Sequence, residues 1–147
     1  MRIQQKTSVK RERNKLNFRI DLCRRLGVDP LLNINTLPYT SIKDCNFLCN
    51  QAFYFFCRGG KVLYLGKTTG LKFRVKEHLR SKRKIYLDHP DVLIYWLEIK
   101  SDELMRYAEE IEIYFMHRFY PLLNIDYNVC KPCPLMSSYF ANELIPK

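Results

Sequence analysis

The run AFYFFC at 52–57, the turn Arg58-Gly59-Gly60-Lys61 and the returning run VLYLG at 62–66 constrain the fold more than any other stretch of the chain. Both runs are rich in β-forming side chains, and paired glycines accept the positive φ of a tight hairpin turn. The other elements are read outward from this hairpin. Residues 71–83 read as a basic helix with Leu71, Val75 and Leu79 on its inner face. Pro90 precedes a third strand at 92–99. Ser101 or Asp102 caps a helix over 103–118, whose core stripe is Leu104, Ala108, Ile111 and Phe115, and Pro121-Leu-Leu-Asn124 ends it. Upstream, residues 8–26 form an amphipathic helix with Leu16, Ile20, Leu22 and Cys23 inward and Gly27 as its stop. Residues 28–50, with Pro30 and Pro38, read as an irregular connector with a short turn of helix between Cys45 and Cys49.

The element order is helix, β, β, helix, β, helix. It predicts an α+β fold: a small three-stranded, mostly antiparallel sheet flanked by helices, with an N-terminal basic helix. Three segments follow: a basic helix and connector at 1–50, a folded domain at 51–125 and a C-terminal tail at 126–147. A chain of 147 residues that is 47% hydrophobic has enough apolar material for one real core.

Charge narrows the partner. The formal net charge is +10, and it is unevenly spread. Residues 1–26 hold nine Lys or Arg against two acids, residues 71–84 hold seven against one, and residues 98–112 invert the sign with six acids against two. Two separate basic segments predict a polyanionic partner, because each cation that meets a phosphate releases condensed counterions. The second segment, Lys72, Arg74, Lys76, Arg80, Lys82, Arg83 and Lys84, is the expected nucleic-acid contact, with the N-terminal helix gripping phosphates beyond it. No apolar run is long enough to span a membrane, and the basic N-terminus lacks the apolar core of a secretory signal. A cytoplasmic location is the expectation. Disulfides are then not expected among the six cysteines. Cys45, Cys49, Cys130 and Cys133 could form a zinc site, but Cys130-Lys-Pro-Cys133 lacks the glycines that turn such a hairpin around the metal. Reduced, packed thiols are the favoured reading.

A set of polar residues carries the chemistry. Tyr54 and Tyr64 lie on the two hairpin strands, and Gly66 and Lys67 close the second. Arg74 and His78 are four apart, hence on one helix face. Glu112 sits at the edge of the apolar stripe of the acidic helix, where a carboxylate is either paired or a metal ligand. Phosphodiester hydrolysis needs these types: a carboxylate for a hard cation, an arginine fork for phosphoryl charge, and a Tyr or His to take a proton from water. Taken singly, each has an ordinary structural role as core aromatic, solvated cation or paired acid.

In order and spacing, these residues resemble the GIY-YIG nuclease family over about Ala52 to Asn124, half of the chain. Ala52-Phe53-Tyr54 stands where the family has Gly-Ile-Tyr, and only the tyrosine is retained. Tyr64-Leu65-Gly66-Lys67 is close to Tyr-Ile-Gly. Leu71, Arg74 and His78 match Leu-x-x-Arg-x-x-x-His, and Glu112 with Asn124 match the metal-binding Glu and distal Asn. The resemblance implies a metal-dependent endonuclease acting on DNA with Mg²⁺ or Mn²⁺, double-stranded DNA being the expected form, and a homodimer as one source of targeting. It implies that Glu112, rather than Glu109 or Glu110, binds the metal and that Arg74 contacts the scissile phosphate. Tyr54 would act as general base or orient the water, assisted by Tyr64 or Lys67. His78 would position phosphate or serve as an alternative base, and Asn124 would support the site. The competing classes are an inactive nucleic-acid-binding module and an RNA-directed nuclease of the same fold.

Overall fold

The computed structural model describes residues 2–44, 46, 47, 49–81 and 89–121, with side chains from Val9 onward. Asn124, Lys82, Arg83, Lys84, Cys45, Cys130, Cys133 and the tail lie outside these residues. The elements in chain order are α1 (Arg2–Arg25), a 3-10 turn (Ile34–Thr36), β1 (Tyr39–Ser41), β2 (Ala52–Arg58), β3 (Lys61–Thr68), α2 (Leu71–Arg80), β4 (Leu93–Glu98), α3 (Asp102–Arg106) and α4 (Ala108–Phe119). The architecture is α+β, as expected, but the sheet has four strands rather than three, in the order β1-β4-β2-β3 and antiparallel throughout. The added strand, β1, came from the stretch read as irregular. It is three residues long, too short for an alternating pattern to register, and it pairs Tyr39 with Tyr95 of β4.

The expected hairpin is present. Gly59 and Gly60 both have positive φ, +58° and +77°, the combination that a two-residue turn of matching twist requires. β2 lies between β3 and β4, and its residues from Ala52 to Cys57 are all buried. Strand alternation sends successive side chains to opposite faces. Phe53, Phe55 and Cys57 join one apolar cluster with α1, α3 and α4. Ala52, Tyr54 and Phe56 join another with Leu71 and Val75 of α2. Thus α2 covers one face of the sheet and α4 the other.

The helix expected from residue 8 begins at Arg2. Its inward positions are those anticipated: Leu16, Ile20, Leu22 and Cys23 are buried, and Val28 N–H donates to the Cys23 carbonyl as the chain turns at Gly27. Arg19 pairs with Glu110 at 3.1 Å, tying α1 to α4. The single helix expected over 103–118 is instead two. Tyr107, at φ −102° and ψ 13°, leaves helical geometry and separates α3 from α4. The apolar stripe continues across the break, with Leu104, Ala108, Ile111 and Phe115 all buried, so a pattern of burial alone could not reveal it. Ser101 is the cap, accepting from Leu104 N–H at 3.0 Å.

Cys23, Cys49 and Cys57 are free and buried, and burial pushes the Cys23 and Cys57 thiols up to about 12, which leaves them protonated and inert. Among the described residues no helix is long and apolar enough to cross a membrane.

Because the inner half of α1 shares the cluster of Phe53 and Phe115, Leu22→Ala should cost about 2–5 kcal/mol in a single cooperative transition. Urea unfolding measures this, and an unmoved midpoint would mean that the helix adds nothing to the core.

Candidate active site

The site is built on the hairpin. Tyr54 of β2 lies directly opposite Gly66 of β3, and its ring crosses over that position. A Cβ added to Gly66 would come within 2.9 Å of Tyr54 Cε1 and closer still to the hydroxyl end of the ring. Only glycine leaves room for the ring to lie there. The helix that completes the site is fixed to the same end of the sheet. Leu71 N–H donates to the Asn50 carbonyl at 2.8 Å, and Gly70 N–H donates to Thr68 Oγ1 at 3.0 Å, so α2 starts where β2 begins and β3 ends.

α2 then turns Arg74 and His78 toward the tyrosine. The Tyr54 hydroxyl lies 2.9 Å from His78 Nε2, and Arg74 Nε donates to the same oxygen at 3.4 Å. An arginine nitrogen can only donate. The Tyr54 oxygen therefore accepts from Arg74, and it also shares hydrogen bonds with His78 Nε2 and the Tyr64 side chain. Tyr64 completes the group. Its ring lies 4.8 Å from the imidazole and is stacked on Tyr54 at 6.1 Å. Phe56, two residues beyond Tyr54 and so on the same face, meets the imidazole edge-on at 5.1 Å. Sequence reasoning did not single out Phe56, although the alternation of β2 places it beside Tyr54.

Burial sets the electrostatics. Tyr54 is wholly buried, His78 nearly so, and Arg74 is part-exposed. Burial drives the Tyr54 phenol well above its ordinary value, and neighbouring Tyr64 adds to this; the Arg74 guanidinium pulls the other way and loses. The Tyr54 hydrogen bond in turn favours the charged form of Arg74. The free end of Arg74 reaches toward Glu77, with Nη1 3.8 Å from the carboxylate.

The remaining candidates lie away from this cluster. Lys67 pairs opposite Phe53, which places it by register on the α4 face, away from the Tyr54 cluster. Glu112 is on α4, the helix packed against β3, and is 5% exposed. Glu109 is exposed and Glu110 is engaged with Arg19, so burial distinguishes Glu112 from both. Among the described residues no three His, Cys, Asp or Glu cluster tightly enough to cage an ion. A cation of the Mg²⁺ kind keeps much of its water shell and takes one or two protein oxygens, so a single carboxylate can serve it; Glu112 stands on α4, in the layer of Phe53 and Phe55 rather than in that of Tyr54. Lys72, Lys76 and Arg80 are exposed along the outer side of α2. An open cleft of about 530 Å³ lies at the end of the sheet where α2 begins, lined by Asn50, Gln51, Thr69, Glu98, Ile99 and Lys100.

No family model and no curated protein matches this chain. Solved structures do. They are GIY-YIG endonuclease domains. Three point mutants of the N-terminal endonuclease domain of UvrC from Thermotoga maritima, each bound to its catalytic divalent cation, are similar in fold. One is 17% identical, with a TM-score of 0.47, covering 57% of this chain and 94% of that domain. Another is 18% identical, with a TM-score of 0.44, covering 52% and 83%.

Two outcomes test the site as built. Gly66→Ala should cost about 1–3 kcal/mol, since the new methyl and the Tyr54 ring cannot share the space, and should shift the His78 imidazole nitrogen resonances. An unchanged His78 spectrum would show that the ring does not depend on glycine. The raised phenol also predicts an alkaline effect. Its stabilisation is complete below the unfolded value of 10 and is lost as pH rises beyond it, because the unfolded chain ionises first. Tyr54→Phe should therefore flatten the decline of the urea midpoint above about pH 10.

Proposed function

We propose that the protein is a divalent-metal-dependent endonuclease that hydrolyses phosphodiester bonds in DNA. The observation that carries the reading is the cluster of Tyr54, Arg74 and His78, hydrogen-bonded through one phenol oxygen beside Tyr64 and at the edge of a basic helix. Arg74 is the phosphate ligand. Its Nε contact to Tyr54 is long at 3.4 Å and therefore weak, so the guanidinium can turn to a phosphate oxygen at little cost. That movement uncovers the Tyr54 hydroxyl to the attacking water.

Tyr54 does not act by ionising in advance, because burial holds it neutral. It acts as a relay, accepting a proton from the water as it passes its own to His78 Nε2, 2.9 Å away. Tyr64 and Phe56 hold the imidazole in line for that transfer. Glu112 would hold the metal, which when bound supplies Lewis-acid stabilisation of charge on the phosphoryl and leaving oxygens. Asn124 would support the site, and Lys67 would steady the substrate from the α4 side of β3. Lys72, Lys76 and Arg80, with Lys82, Arg83 and Lys84 following in sequence, would track the phosphate backbone of double-stranded DNA.

The test is incubation of purified protein with supercoiled plasmid, in Mg²⁺ or Mn²⁺ and in chelator. The expected result is metal-dependent nicking that disappears in Glu112→Ala. Arg74→Ala should cut about 10²–10³-fold more slowly while melting at an unchanged temperature, as expected for loss of one transition-state donor. DNA binding with no cutting under any metal would identify a binding module instead. Cleavage of RNA alone would keep the chemistry and overturn the substrate.

A further inference from the structure

The outer surface of α2 carries more than charge. Successive helical residues are rotated by about 100°, so Leu71, Val75 and His78 form the buried side, and Lys72, Lys76, Arg80 and Phe73 fall opposite it. Phe73 is at the middle of that outer side and is 67% exposed, the most exposed large apolar residue among those described. Among the described residues no aromatic or cation-π contact involves its ring. A lone surface phenylalanine is unremarkable in general. This one shares the outer side of α2 with Lys72, Lys76 and Arg80 as well as Glu77, which pairs with Arg74, and it is the immediate neighbour of Arg74, which binds the Tyr54 hydroxyl.

We infer that Phe73 is a stacking platform for an unpaired nucleobase, and that the preferred ligand is nucleic acid with a base free of its helix, at a bulge, a junction or a single-stranded stretch. An aromatic ring among Lys and Arg is how proteins hold unstacked bases: the cations follow the backbone and the ring covers a π-face. A fully paired duplex offers such a face only at its ends. The inference deepens the nuclease reading by naming the substrate feature placed beside Arg74. It rests on that reading only for the cut, since stacking is a binding event that needs no metal.

The test is binding measured in chelator by fluorescence anisotropy. Three DNAs are compared: a paired duplex, the same duplex with a 2-aminopurine bulge, and the single strand. Phe73→Ala should bind the bulged and single-stranded DNAs about ten- to a hundredfold more weakly, leave the paired duplex within about twofold, and lose the quenching of the 2-aminopurine. Phe73→Trp should restore both signals. Because the side chain is exposed, a thermal melt should show both variants folded as the parent. Equal weakening on all three DNAs, or no weakening on any, overturns the inference. So does a result in which Phe73→Ala dissociates a dimer seen by sedimentation and leaves binding unchanged. Failure of the plasmid to be cut does not touch this experiment, so the two readings fall separately.

Discussion

Strand β2 is hydrogen-bonded along both edges and covered on both faces, and the other elements take their places from it. Its six buried residues leave no polar backbone group to solvent on either side, which suits a run of aromatic and small apolar side chains. The alternation of Phe53, Tyr54, Phe55 and Phe56 then divides the protein into two layers. Phe53 and Phe55 meet Phe115 of α4 edge-on or tilted, with ring centres 5.5 and 5.8 Å apart. Tyr54 and Phe56 meet α2 through His78. A shift of one residue in register would exchange the layers and bury the phenol against the wrong helix.

The Tyr54 hydroxyl carries the most chemistry because it is both buried and shared. A buried hydroxyl needs partners, and two side chains of one helix, four residues apart, supply them. The same burial that keeps the phenol neutral strengthens its bond to the imidazole, since fewer waters compete for either group. Arg74 stands at the boundary, with its Nε turned inward and its outer nitrogens near solvent and Glu77. The site thus has an interior part, which is fixed, and a surface part, which is free to exchange partners.

Much of this was legible in the sequence, for reasons that can be named. The hairpin was legible because two consecutive glycines between β-forming runs admit few other conformations. That Arg74 and His78 share one face followed from a helix spacing of four, and that Tyr54 would join them was implied by the family resemblance. The division of Tyr64 from Lys67 was equally legible in principle: they are three apart on one strand, an odd number, and so face opposite ways. The fourth strand was not legible, because Tyr39–Ser41 owes its structure to Tyr95 and to a Trp96 N–H bond to the Pro38 carbonyl, both distant in sequence. The break at Tyr107 was hidden because burial follows the stripe of apolar residues and does not report a single residue leaving helical geometry.

The sheet order has a kinetic consequence. Tyr54 and Gly66 are brought together by a two-residue turn, whereas Tyr39 must find Tyr95 across more than fifty intervening residues. Closing a short loop sacrifices far less chain freedom than closing a long one. The phenol and the glycine beneath it are therefore among the first parts of the sheet to meet as the chain folds, and β1 is among the last to dock. A nascent chain that has released residues 52–68 already contains both strands of the frame on which Arg74 and His78 will close.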